Sequence, residues 1–219
     1  LSKVEKPYLL DTYVYCLIEP LSCVLHAYKT SDISPTDHIL IIGGGGIGML
    51  FYFMLSECLG HESVSLRESS QKKLNTLKNW FPKISRVHNN SNYTYVFDAS
   101  NSPEGLSESL EQTRPGGKIC VMSHLYGLDT SFVYDAICKK ELHAVFPLRN
   151  GSQKNMLEAQ KLLAAHWRKE YNSLLEIFPD VDSAFASKQE SFGSKQIINL
   201  QGIPDEADAE TPYKNEQCN

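Results

Sequence analysis

Residues 37–60, DHILIIGGGGIGMLFYFMLSECLG, restrict the fold of this chain more than any other stretch. An apolar run, Ile39 to Ile42, enters four consecutive glycines and leaves as an apolar helix predicted over residues 46–59. A strand apolar at every position suits a parallel sheet, in which both faces of the strand are covered. Gly43, Gly45 and Gly48 satisfy the spacing G-x-G-x-x-G. Between a strand and a helix, the first glycine permits the tight turn and the second lets a pyrophosphate approach the backbone. The third lets the helix pack closely on the strand. The positive end of the helix would then face the phosphates. Four adjacent glycines fit several templates, so the pattern gains weight from its setting.

The setting agrees with a phosphate cradle. Residues 63–68, SVSLRE, read as a second strand ending in Glu68, where a carboxylate can accept hydrogen bonds from the adenosine ribose hydroxyls. That carboxylate would repel a 2′-phosphate, which favours NAD over NADP, while Arg67 beside it pulls the other way. The plain alternative for Glu68 is a solvated strand end. Around this unit, helices and strands alternate. A helix with Pro20 in its first turn runs to Lys29, followed by a polar break, TSDISPTD. After Glu68 come a capped helix over 69–81, a short strand at 84–87 and a strand at 93–100. Next are a helix over 102–113 with an early Pro and acidic first turn, a turn at RPGG, and a strand at 118–123. A helix over 132–138, a strand at 141–146, helices over 153–167 and 180–191, and a strand at 195–200 close the pattern. Such alternation predicts an α/β fold with a doubly wound, mostly parallel sheet. Residues 201–219 are polar and acidic, with the composition of a disordered tail.

Composition narrows the partners. The chain has 219 residues, 42% hydrophobic and 21% charged, enough for one domain with a sizeable core. A formal net charge of −5 gives no electrostatic footprint for nucleic acid or an anionic membrane. The six cysteines form no CxxC pair, so neither a zinc knuckle nor a disulfide framework is expected, and a reducing cytoplasm fits them. The longest apolar run is too short to span a bilayer, and residues 1–10 lack the apolar core of a secretory signal. The first residue is leucine, which leads us to expect a fragment or a processed chain.

Several segments, in order, resemble the zinc-dependent medium-chain dehydrogenases/reductases, in particular their sorbitol and threonine dehydrogenase-like branch. IEPLSCVLHAY (18–28) is similar to the segment that links the family's catalytic and cofactor domains. ILIIGGGGIGML (39–50) and SLRESSQKKL (65–74) resemble its first strand, glycine turn and second strand end. YVFDASNSPEGLSESLEQTRPGGKICVMSHLYG (95–127), CKKELHAVF (138–146) and the segment over 176–200 are similar to its later units. The resemblance implies a Rossmann fold that binds NAD, with cofactor contacts at Gly43, Gly45, Gly46, Ile47, Gly48, Glu68, Lys73, Ser100 and Ser123. It also implies hydride transfer from an alcohol, polyol or sugar held on zinc. The family's barrel-shaped catalytic domain and its zinc ligands have no counterpart here, so residues 1–33 read as a leader from that domain. Zinc is not expected on this chain alone. Only Glu19 matches a residue of the zinc site, as a carboxylate at its edge, and an acid favouring the helix dipole explains it equally well.

The chain departs from the family in three places that border the nicotinamide side of the cleft. Asn101 and Ser123 stand where glycines are usual, and FPLRN (146–150) replaces a glycine-containing turn. Family members often dimerise through the strand at 141–146, which makes a homodimer an expectation. The competing reading is a stand-alone, non-catalytic Rossmann module, either a dinucleotide sensor or a scaffold. A nucleotide-dependent methyltransferase-like chain fits the glycines but not the flanking segments. Other features have plainer explanations: His26 reads as a packed helix residue, and Ser123 and His124 alternate across a strand rather than forming a dyad.

Overall fold

A computed structural model of the chain describes residues 13–82, 84, 92–123, 131–147, 149, 151–186 and 195–198. Five parallel strands form the main sheet: β1 (Ile39–Ile42), β2 (Val64–Arg67), β3 (Tyr93–Asp98), β4 (Thr113–Val121) and β5 (His143–Val145). Their spatial order is β2-β1-β3-β4-β5. The chain leaves β1 to one side for β2 and then crosses to β3 on the other. The crevice at the carboxyl ends of β1 and β3 is therefore the topological switch point, where ligands of open α/β sheets bind.

Strand alternation divides the core into two layers. Ile39, Ile41, Val64, Leu66, Tyr95 and Phe97 pack on one face against α1 (Ile18–Thr30), α2 (Gly46–Tyr52), α3 (Gln71–Trp80) and α6 (Gln153–His166). Phe51 packs on Phe97 with ring centroids 4.2 Å apart. On the opposite face, Ile119 and Val121 pack against α4 (Pro103–Gln112) and α5 (Ser131–Lys140) through Leu106, Leu110, Val133 and Ile137. All four residues of β1 are buried, as a strand covered on both sides requires.

The helices begin where their sequences direct. The Ser70, Ser102 and Ser152 hydroxyls accept from the N–H groups of Lys73, Gly105 and Asn155, capping α3, α4 and α6. Pro103 occupies the first turn of α4, where a missing N–H costs nothing. α2 continues as a π-helical segment, Phe53–Cys58, so the predicted helix over 46–59 is one continuous helical stretch in two geometries.

Three local expectations are corrected. RPGG is not a turn but lies inside β4. Tyr93 pairs with Thr113 and Tyr95 with Lys118, so Arg114 to Gly117 bulge out opposite Thr94, with Gly116 at φ +67°. Ile84 is not in a strand, and residues 85–87 of that expected strand lie outside the described residues. Leu175–Phe178 forms a strand, β6, that the sequence reading lacked. It pairs in parallel with β7 (Lys195–Ile198) as a separate two-stranded sheet. The expected tail over 201–219, His124, and the second half of the helix expected over 180–191 also lie outside the described residues.

Candidate functional site: the cleft at the switch point

A cleft of about 790 Å³ opens at the carboxyl ends of β1 and β3. One wall is the glycine turn, with Gly43 and Gly45. The second is the end of β2 and the start of α3, with Arg67, Glu68, Ser69 and Lys73. The third is the start of α4, with Ser102, Glu104, Gly105 and Glu108. The cleft's volume suits a cofactor-sized ligand.

Each glycine of the turn has a different task. Gly43 has φ +99°, and a Cβ there would stand 2.7 Å from the Ala99 carbonyl oxygen, so β1 and β3 close on each other at this point. A Cβ on Gly48 would fall 1.7 Å from the Gly43 carbonyl oxygen, which binds the helix tightly to the turn. At Gly45 no described atom lies within 4 Å of the Cβ position. Its open face is the part of the turn that a ligand's phosphate can approach. Gly46 and Ile47 begin α2 behind it and do not line the cleft.

Glu68 closes the turn from the side. Its Oε2 accepts from the Gly44 N–H at 2.8 Å, and its Oε1 from the Ser70 N–H at 2.8 Å. The Ser69 hydroxyl adds a longer contact of 3.3 Å to Oε1. These bonds fix the carboxylate's position and leave lone pairs for ligand hydroxyls. Arg67, the last residue of β2, pairs through Nη1 with Oε1 of Glu108 on α4 at 2.5 Å. Lys73 lines the cleft from the first turn of α3.

At the far wall the carboxylate of Asp98 is fully buried. Oδ1 accepts from the Ser100 hydroxyl at 2.6 Å and the Ser100 N–H at 3.1 Å. Oδ2 accepts from the Ser123 hydroxyl at 2.9 Å. The Ser123 oxygen in turn accepts from the Asn101 N–H at 3.0 Å. Asn101 has φ +53°, a region asparagine tolerates, so it serves where glycine is usual. Asn101 and Ser123 thus work together, joining the loops after β3 and β4. Ser100 lines the cleft, whereas Ser123 stands behind it.

Glu19 lies at the start of α1 with its side chain exposed, and its Oε1 accepts from the Cys23 thiol at 3.2 Å. Burial, with the Glu19 carboxylate second, pushes that thiol up to about 12, so it is protonated at neutral pH. No group of three or more His, Cys, Asp or Glu residues placed to hold a metal ion occurs among the described residues. The described residues therefore do not assemble a zinc centre. His26 is half-buried on α1, where a Cβ on Gly151 would meet its Nδ1 at 2.4 Å, so it packs between helices.

The sequence reading missed Ser69, Ser102, Glu104, Gly105 and Glu108 as cleft residues. Glu104 and Glu108 are spaced i,i+4 on a helix that starts directly after a strand, which was the available signal.

A parallel sheet of this order with a glycine turn after β1 and an acid after β2 is a Rossmann-type α/β fold. Solved structures agree. The short chain alcohol dehydrogenase of E. coli, solved with NADH, superposes with a TM-score of 0.69 at 18% identity, covering 86% of this chain and 59% of that one. TarJ of S. aureus, solved with NADPH, superposes at 0.70 with 15% identity, covering 89% and 66%. In sequence, the chain is 24% identical over 200 residues to D-xylulose reductase A of Aspergillus oryzae, 83% of this chain and 55% of that protein. No protein-family model matches. In sequence the chain is thus similar to polyol and sugar reductases and dehydrogenases. It spans about half the length of these relatives.

Proposed function

We propose that this chain is the NAD(H)-binding part of an alcohol, polyol or sugar dehydrogenase, and that hydride transfer occurs when a catalytic domain, in the same chain or another, faces the cleft. The observation that carries the reading is the pairing of an open Gly45 with a fixed Glu68 in one cleft at the switch point. The backbone at Gly45 would meet the pyrophosphate, and the α2 amides behind it would supply positive potential. Glu68, already oriented by the Gly44 and Ser70 N–H groups, would accept from the adenosine ribose hydroxyls. Its charge disfavours a 2′-phosphate, which makes NAD the preferred cofactor. The relatives being dehydrogenases favours this over a non-catalytic scaffold.

No step through a metal is assigned to this chain. Its own residues bind and orient the dinucleotide. Asp98, through Ser100 and Ser123, holds the loops that border the nicotinamide end.

The test is fluorescence titration of NADH into the wild-type chain and Gly45→Val. The added side chain enters space that is open in the free protein, so its melting temperature should stay near wild type. Micromolar binding by wild type and loss of at least about tenfold in the variant support the reading. Equal binding by both, or none by wild type, contradicts it.

A further inference from the structure

Arg67 is the last residue of β2, Glu68 follows it directly, and both line the cleft. Glu68 turns to the glycine turn. Arg67 turns to α4, where its guanidinium is held by Glu108 at 2.5 Å. Both members of this pair line the cleft with Glu68 and Lys73. The pair is partly solvated, with side chains 38% and 28% exposed, so it can open at modest cost.

Resting on the dinucleotide reading above, we infer that Glu108 determines cofactor choice by holding Arg67 away from the ribose end of the cleft. A 2′-phosphate carries one and a half to two negative charges at neutral pH, roughly, and is best met by the planar fork of an arginine. The cleft lining contains three carboxylates, Glu68, Glu104 and Glu108, against two cations, Arg67 and Lys73, for a net charge of 2 − 3 = −1. In the latched state Arg67 is neutralised by its partner, and the ribose end presents Glu68 to the ligand. Without Glu108 the lining is 2 − 2 = 0, and the Arg67 fork is released beside the place where Glu68 would read the ribose. The acid of α4 therefore acts against NADPH through Arg67, for which it is a positioning residue.

The experiment is calorimetric titration of the full chain with NADH and NADPH, using wild type, Glu108→Ala, Arg67→Met and the double variant. Unfolding midpoints verify that each variant is folded. Wild type should prefer NADH. In Glu108→Ala the ratio of NADPH to NADH affinity should rise about tenfold, the scale of one new charge-assisted hydrogen bond. In the Arg67→Met background, the same Glu108 substitution should give less than half of that gain. Equal gains in both backgrounds would overturn the inference, since Glu108 would then act by repulsion alone. An unchanged NADPH-to-NADH ratio in Glu108→Ala would overturn it too, while wild-type NADH binding leaves the dinucleotide reading intact. A wild-type chain that binds neither cofactor overturns both.

Discussion

The Gly44 N–H donates to Oε2 of Glu68 across 2.8 Å, joining the turn after β1 to the end of β2. One carboxylate thereby shapes the turn and, in the proposed reading, would meet the ribose. Glu68→Ala should weaken NADH binding by at least about tenfold and lower stability by about 1–2 kcal/mol, because the Gly44 and Ser70 N–H groups lose their acceptor. Glu68→Gln retains one acceptor oxygen and should fall between. Titration with NADH and urea unfolding of both variants would show whether binding and stability move together.

The glycines of the turn should separate by cause. Gly48→Ala drives a methyl group against the Gly43 carbonyl and should cost about 3 kcal/mol, or roughly 6–12 °C in melting temperature for a chain of this size. Gly43→Ala should be comparably harmful, combining a positive φ with contact on Ala99. Gly45→Ala should remain within about 0.5 kcal/mol of wild type. Thermal melts in the absence of cofactor distinguish these. A Gly48→Ala chain as stable as wild type would contradict the packing described.

Asp98 should matter more for order than its distance from solvent suggests. Asp98→Ala leaves the Ser100 and Ser123 hydroxyls without their acceptor and should destabilise the fold by about 1–3 kcal/mol. Ser123→Ala removes one of these bonds and the acceptor of the Asn101 N–H, at about 1 kcal/mol. Hydrogen exchange at the Asn101 amide should quicken in both.

Burial pushes the Cys120 thiol up to about 12, against 9.0 for a free thiol. The folded chain then binds more protons than the unfolded chain above pH 9, so this group's contribution is intact below pH 9 and is lost as pH rises toward 12. The expected slope reaches about 1.4 kcal/mol per pH unit. Urea unfolding at pH 8, 9, 10 and 11 should show this decline in wild type, and a shallower one in Cys120→Ala.

What the sequence disclosed was local chemistry. The apolar β1, the glycines at 43, 45 and 48 and the cap of the helix after Glu68 depend on near neighbours, so their spacing carried their local structure. Arg67 and Glu108 were not legible as a pair, because 41 positions separate them and only the order of β2, β1 and β3 places α4 beside β2. RPGG has the composition of a turn, yet pairing of β4 with β3 on both sides absorbs it as a bulge. β6 is short and, among the described residues, pairs with the distant β7 alone, so its pattern LEIF offered no local signal. The departures at Asn101 and Ser123 lie 22 positions apart, so their spacing carried no sign of a link. The structure shows them bonded to each other.

Hydrogen–deuterium exchange of the chain with and without NADH tests the central claim most directly, because it reports where the ligand sits. The account predicts slowed exchange at the amides of Gly43 to Gly48, Ser69 and Ser70, Ser100 to Ser102, and Glu104 and Gly105, with β6 and β7 unchanged. Protection confined to other segments, or none at saturating NADH, would contradict the assignment of this cleft to a dinucleotide.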